Sequence, residues 1–189
     1  MSAKGRPRAR ISPEARSAEG GSLIATRASR RGRSNPSSRP SSRSRGERVA
    51  RLRFTVQSTV DADVPSPIAL RRIAQATLER DAAVTIRIVD GREARALNRR
   101  YRRRDYATNV LTFVYDDGVS LAGDIVLCAP VIAKEARAQR KTLRAHYAHL
   151  VIHGMLHLQG YDHERDDDAA RMEAREIALL RDLGYENPY

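Results

Sequence analysis

Leu121-Ala122-Gly123-Asp124-Ile125-Val126-Leu127-Cys128, followed by Ala129-Pro130, decides how the rest of the chain must be arranged. The run is almost continuously apolar, as a strand covered on both faces requires, so it is expected at the centre of a sheet. Pro130 then opens a helix, at the position where a missing N–H does least harm. That helix runs to about Gln139. Working outward, Val110 to Tyr115 reads as the preceding strand, closed by the turn signal Asp116-Asp117-Gly118. Leu52, Phe54 and Val56 alternate with polar residues, as do Val84, Ile86 and Ile88, which gives two more strands. Asp90-Gly91 ends the second of them. Asp63 to Pro67 is a turn, and Ile68, Ile73, Ala76 and Leu78 mark an amphipathic helix capped by Ser66. Ala94 to Tyr101 reads as a helix, and two longer ones follow, from Leu143 to Leu158 and from Asp166 to Leu183, the last stopped by Gly184. About four strands and about five helices, without strict alternation, describe an α+β fold with a mixed sheet.

Charge divides the 189 residues unevenly. The chain carries a formal +12. Residues 1–46 hold Lys4 and eleven Arg against Glu14 and Glu19, a net +10. The same segment is rich in Ser, Gly and Pro and has no aromatic residue. It cannot bury enough apolar surface to offset its ordering entropy, so it is expected to be a disordered basic tail, with residues 47–189 as the folded domain. Three readings of the tail stay open: a transit peptide, an RNA-contacting arm, and a dispensable extension. The lone Cys128 excludes an intramolecular disulfide framework and points to a reducing compartment, so a cytoplasmic location is expected. No stretch approaches the roughly 18 apolar residues of a membrane helix, and no membrane partner is expected.

The chemistry lies in His153-Gly154-Met155-Leu156-His157-Leu158-Gln159-Gly160-Tyr161-Asp162-His163. On a helix, His153 and His157 leave the same face one turn apart, the spacing at which two imidazoles reach one ion. Gly160 can take the left-handed conformation that ends a helix and reverses the chain. The reversal brings His163 back toward the other two. Three neutral imidazoles with one open position describe a catalytic zinc site. An ion so held is a strong Lewis acid and can lower the pKa of bound water to about 7. His149 is a rival ligand, ranked lower because three ligands along one straight helix spread too far. The spacing also matches metzincin peptidases, but those place a Glu where this chain has Gly154. Asp162 and Glu164 are candidates either to assist as bases or to orient a ligand imidazole.

This run resembles the hallmark H-G-x-L-H-L-x-G-Y-D-H of the YbeY family of bacterial endoribonucleases, the rRNA maturation factors. A second block agrees with the family pattern: Leu97-Asn98, Tyr101-Arg102, Asp105, and Thr108-Asn109-Val110-Leu111 with Phe113. Gly123-Asp124-Ile125 is a third. The resemblance spans about residues 52–184 and leaves out the basic tail. Ala107, Thr112 and Val114 depart from the usual Pro, Ser and Pro. The resemblance implies a zinc-like ion on His153, His157 and His163, with Arg102 in the active site. It implies a single-strand-specific endoribonuclease in rRNA maturation, at the 3′ end of small-subunit 16S rRNA, and in ribosome quality control. Its partners would be the small-subunit rRNA precursor and the ribosome, with a small-subunit ribosomal protein and an assembly GTPase.

The residues support such chemistry independently. Phosphodiester cleavage builds negative charge on non-bridging oxygens, which a divalent ion and a guanidinium stabilise. From Arg92 to Arg104 there are seven Arg and one Glu, whereas Asp162 to Glu186 holds nine acids and four Arg. A domain basic on one side and acidic on another suits a polyanion arriving from one direction. The competing reading is a non-catalytic ribosome-assembly or RNA-binding factor with a structural metal.

Overall fold

The structure is a computed structural model, described here for residues 10–11, 50–115, 121–163 and 165–189. Contacts divide the chain into a unit of residues 1–15 and 50–189 and another of residues 16–49. Only the first contains described residues. The tail reading of residues 1–46, the Asp116–Gly118 turn and Glu164 lie outside them, residues 10–11 excepted.

In chain order the elements are β1 (Arg10–Ile11), β2 (Leu52–Ser58), α1 (Pro67–Thr77), β3 (Ala82–Val89), α2 (Gly91–Arg102), β4 (Val110–Val114), β5 (Leu121–Cys128), α3 (Ala129–Ala138), α4 (Leu143–Leu158) and α5 (Asp166–Asp182). The sheet order is β1-β4-β5-β3-β2. β2, β3 and β5 run parallel, while β4 is antiparallel to β5 and β1 to β4. The α+β class and the mixed sheet are therefore as expected, and β5 is central. The two-residue β1 adds a fifth strand, for which so short a run gives no periodic signal.

Three local readings change. Asp90-Gly91 ends β3 as expected, but α2 starts at Gly91 rather than Ala94, because the Asp90 carboxylate accepts from the Glu93 N–H at 2.8 Å and caps it. Pro67 is not a breaker but sits in the first turn of α1, behind Ser66, whose Oγ accepts from the Ala69 N–H at 3.3 Å. Ile68 is 82% exposed, and α1 instead buries Leu70, Ile73, Ala74 and Thr77.

α4 packs on the Ile125 face of the sheet, against α1, α3 and α5, and is buried from His146 to Leu158, while α2 packs on the other face. A helix apolar all round has nowhere else to go. Its approach to the sheet depends on two glycines. A Cβ on Gly154 would stand 3.0 Å from two carbons of Ile125 on β5. A Cβ on Gly123 would stand 2.3 Å from Leu158 Cδ2 and 2.4 Å from the Phe113 carbonyl oxygen. Gly154 thus faces the sheet. The position where a metzincin carries its Glu points here into packed aliphatic carbon.

Candidate metal centre

α4 ends in a Schellman motif: Gly160 N–H donates to the His157 carbonyl and Tyr161 N–H to the Leu156 carbonyl, both at 3.1 Å. Gly160 is at φ +92°, which only glycine adopts without strain. Gln159 fixes the turn to the rest of the fold by donating to the Thr77 carbonyl at 2.9 Å and accepting from the Glu79 N–H. The chain then reverses, and His163 returns to the helix.

The three rings meet. His153 and His157 centroids are 4.5 Å apart, His157 and His163 5.0 Å, and His153 and His163 5.4 Å. One ligand atom from each lies within 4.8 Å of the others. His153 and His157 are buried and His163 half-buried.

The outer nitrogens fix the tautomers of the two helical rings. His153 Nδ1 is 2.8 Å from Glu176 Oε1, a carboxylate 1% exposed on α5, so this nitrogen carries the proton. His157 Nδ1 donates to the Tyr161 carbonyl at 2.9 Å. In the neutral rings each Nε2 atom then carries a lone pair, and the two face each other at 3.0 Å. Two lone pairs that close repel unless a cation lies between them. Two tetrahedral ligands at about 2.05 Å from one zinc would stand about 3.3 Å apart, so the donor set fits such an ion. Burial first, then the neighbouring His153 and His163, push His157 down to about 3, so it stays neutral.

Behind the cluster the imidazoles continue along α4, each against a carboxylate. His149 Nε2 donates to Glu176 Oε2 at 3.2 Å, and the Tyr189 hydroxyl donates to the same oxygen. Burial pushes the Glu176 carboxyl up, but the hydrogen bonds from His149 and His153 outweigh it and hold the group well below the usual carboxylate range. His146 Nε2 meets Glu135 at 2.8 Å, where Asn109 also donates at 3.0 Å. His149 is therefore not in the cluster but orders the carboxylate that orders His153.

The chain matches the family model described as Endoribonuclease YbeY over residues 61–184. The Endoribonuclease YbeY of Aromatoleum aromaticum is 55% identical over 144 residues, covering 74% of this chain and 94% of that protein. That of Nitrosomonas europaea is 57% identical over 139 residues, covering 73% and 85%. The chain belongs to the YbeY family. A protein of Thermotoga maritima, solved in solution, is 23% identical with a TM-score of 0.46 and covers 70% of this chain and 91% of that one.

Set beside the YbeY hallmark, the structure gathers its three His. Arg102 is the last residue of α2, half-buried, and makes no hydrogen bond or ion pair with the cluster. Its Nη1 is enclosed without a hydrogen-bond partner among the described residues. Asp162 accepts from the His163 N–H at 2.7 Å, so the ring-orienting partners are Glu176 and the Tyr161 carbonyl instead. Asn98 donates to the Tyr106 carbonyl, and Asn109 accepts from the Val110 N–H, both structural. Asp105 pairs with Arg95 through two bonds of 2.8 Å. Glu176 was legible only indirectly: it stands in the stripe Met172, Glu176, Leu179 and Leu180, an acid where a helix buries apolar residues. A buried acid requires a partner.

Proposed function

We propose that the chain is a zinc-dependent, single-strand-specific endoribonuclease that acts in ribosomal RNA maturation, at the 3′ end of small-subunit 16S rRNA, in the cytoplasm. The observation that supports this most is the pair of facing Nε2 atoms on His153 and His157 with His163 beside them, in a chain of the YbeY family. His153, His157 and His163 would hold the ion. When bound, it supplies Lewis acidity to the scissile phosphate and acidifies water.

The remaining steps belong to the protein. Glu176 and the Tyr161 carbonyl keep the Nδ1 protons in place, which leaves both Nε2 atoms available for the ion. The Arg102 guanidinium would donate to a non-bridging phosphate oxygen as charge builds there. On this reading residues 1–46 form a basic tail, apart from Arg10–Ile11, which pair with β4. A small-subunit ribosomal protein and an assembly GTPase are the protein partners, and ribosome quality control is a second setting for the same cleavage.

The test compares wild type with His157→Ala on a small-subunit rRNA fragment carrying an unprocessed 3′ extension, after both proteins are checked for folding and metal content. Cleavage by wild type, lost in a folded, metal-depleted variant, supports the reading. Equal cleavage by both contradicts it. RNA binding without cleavage by either moves the assignment to an assembly factor with a structural metal.

A further inference from the structure

We infer that the C-terminal end of α2 is a docking surface for single-stranded RNA, formed by Arg99, Arg100, Arg103 and Arg104 with the rings of Tyr101 and Tyr106. This deepens the proposed function and rests on its reading that the substrate is RNA.

Two independent observations meet there. The first is charge without internal use. Of the basic stretch, Arg95 is paired with Asp105, and the one acid within it, Glu93, is paired with Arg87. Arg99, Arg100, Arg103 and Arg104 are exposed and make no ion pair among the described residues. The second is aromatic exposure. Tyr101 is 41% and Tyr106 44% exposed, in a folded unit whose other large exposed apolar side chains are Ile68 and Tyr189. Arg100 lies over the Tyr101 ring, 5.4 Å from its centroid. Guanidinium groups interleaved with rings suit a strand whose phosphates and bases are both available. Arg103 caps α2 at φ 58°, ψ 29°, the left-handed region that glycine fills at less cost. Arg140 shares that conformation, so the strain serves only to match the two residues in the test.

α2 packs on the sheet face that carries Leu111, Phe113 and Val126, the face opposite α4 and the metal centre. The Tyr101 ring packs edge-on against Phe113 with centroids 5.0 Å apart.

Arg140 supplies the control. It is also an exposed Arg in the left-handed region, at φ 54°, but lies after α3. Both Arg103→Gly and Arg140→Gly remove one charge and relieve the same strain, so both should raise Tm by a few degrees. The measurement is the affinity of the full chain, metal-loaded, for a fluorescent single-stranded 2′-O-methyl oligonucleotide across a salt series. Residues 1–46 are common to every variant. Arg103→Gly should weaken binding by about 3- to 10-fold and reduce the slope of log K against log salt by about 0.7, the share of one phosphate contact. Arg99→Gln should do the same without touching a helix cap. Arg140→Gly should stay within about 2-fold. Equal effects of Arg103→Gly and Arg140→Gly, or none from either, would overturn the surface while leaving the RNA reading intact. Failure of wild type to bind the oligonucleotide would remove the RNA reading and this surface with it.

Discussion

α4 and the end of α2 both repeat one kind of functional side chain, and they treat it in opposite ways. α4 carries all five histidines but the last, and each has at least one nitrogen held by a carboxylate or a carbonyl. α2 ends in guanidinium groups that find no such partners among the described residues. Burial accounts for the difference. An unpaired polar group costs about 1–3 kcal/mol inside a protein and almost nothing in water. A buried imidazole must therefore be oriented from within, whereas an exposed guanidinium can wait for a ligand. Precision of the kind a metal needs is consequently found on α4, and breadth of the kind a polymer needs on α2.

The sharpest way to break this contrast is to remove the carboxylate that serves two imidazoles. Glu176→Ala strands His149 and His153 and should destabilise the domain by about 3–5 kcal/mol, read by chemical denaturation. Glu176→Gln, which keeps volume and folding, should still weaken zinc binding by about 10- to 100-fold in a chelator competition. Unchanged affinity would mean that His153 needs no orienting partner.

Acid should act in the same direction. His157 is depressed to about 3 in the metal-free fold, against an ordinary value near 6.5 when unfolded. The unfolded chain then binds the extra proton between those values, so stability falls as pH drops from about 6.5 toward 3, by a few kcal/mol in all. The depressed Glu176 carboxyl adds a loss in the same sense, but only below the ordinary Glu range. The part of the decline above pH 5 should vanish in His157→Gln, measured by denaturant melts of chelator-treated protein.

Smaller effects sharpen the same division. Glu135→Gln alters the pair with His146, two turns from the ligands' end of α4, and should lower stability by about 1 kcal/mol while zinc affinity stays within about 3-fold. Arg104→Gln, on the exposed face, should leave stability within about 0.5 kcal/mol.

Much of this was legible in the sequence where periodicity or spacing carried the information. The bounds of α4 and the strand β5 were as expected because long apolar runs leave few alternatives. The His153, His157 and Gly160 spacing implied the convergence that the Schellman turn produces. What escaped were features decided between distant segments. Asp90 caps a helix only because α2 follows β3 without a loop. Glu176 and Tyr189 reach the α4 imidazoles from a different part of the chain, and spacing along one helix carries no trace of a partner on another. Ile68 continued the apolar pattern of α1, yet the sheet covers only the Leu70 and Ile73 side.

The central claim is that His153, His157 and His163 form one metal site set by their outer partners. The most direct measurement is zinc stoichiometry and affinity, by competition with a chromophoric chelator, for wild type and His157→Ala at neutral pH. One ion per chain in wild type, with affinity reduced at least 100-fold in a variant that remains folded, is the expected result. An ion retained by His157→Ala with unchanged affinity would contradict the account.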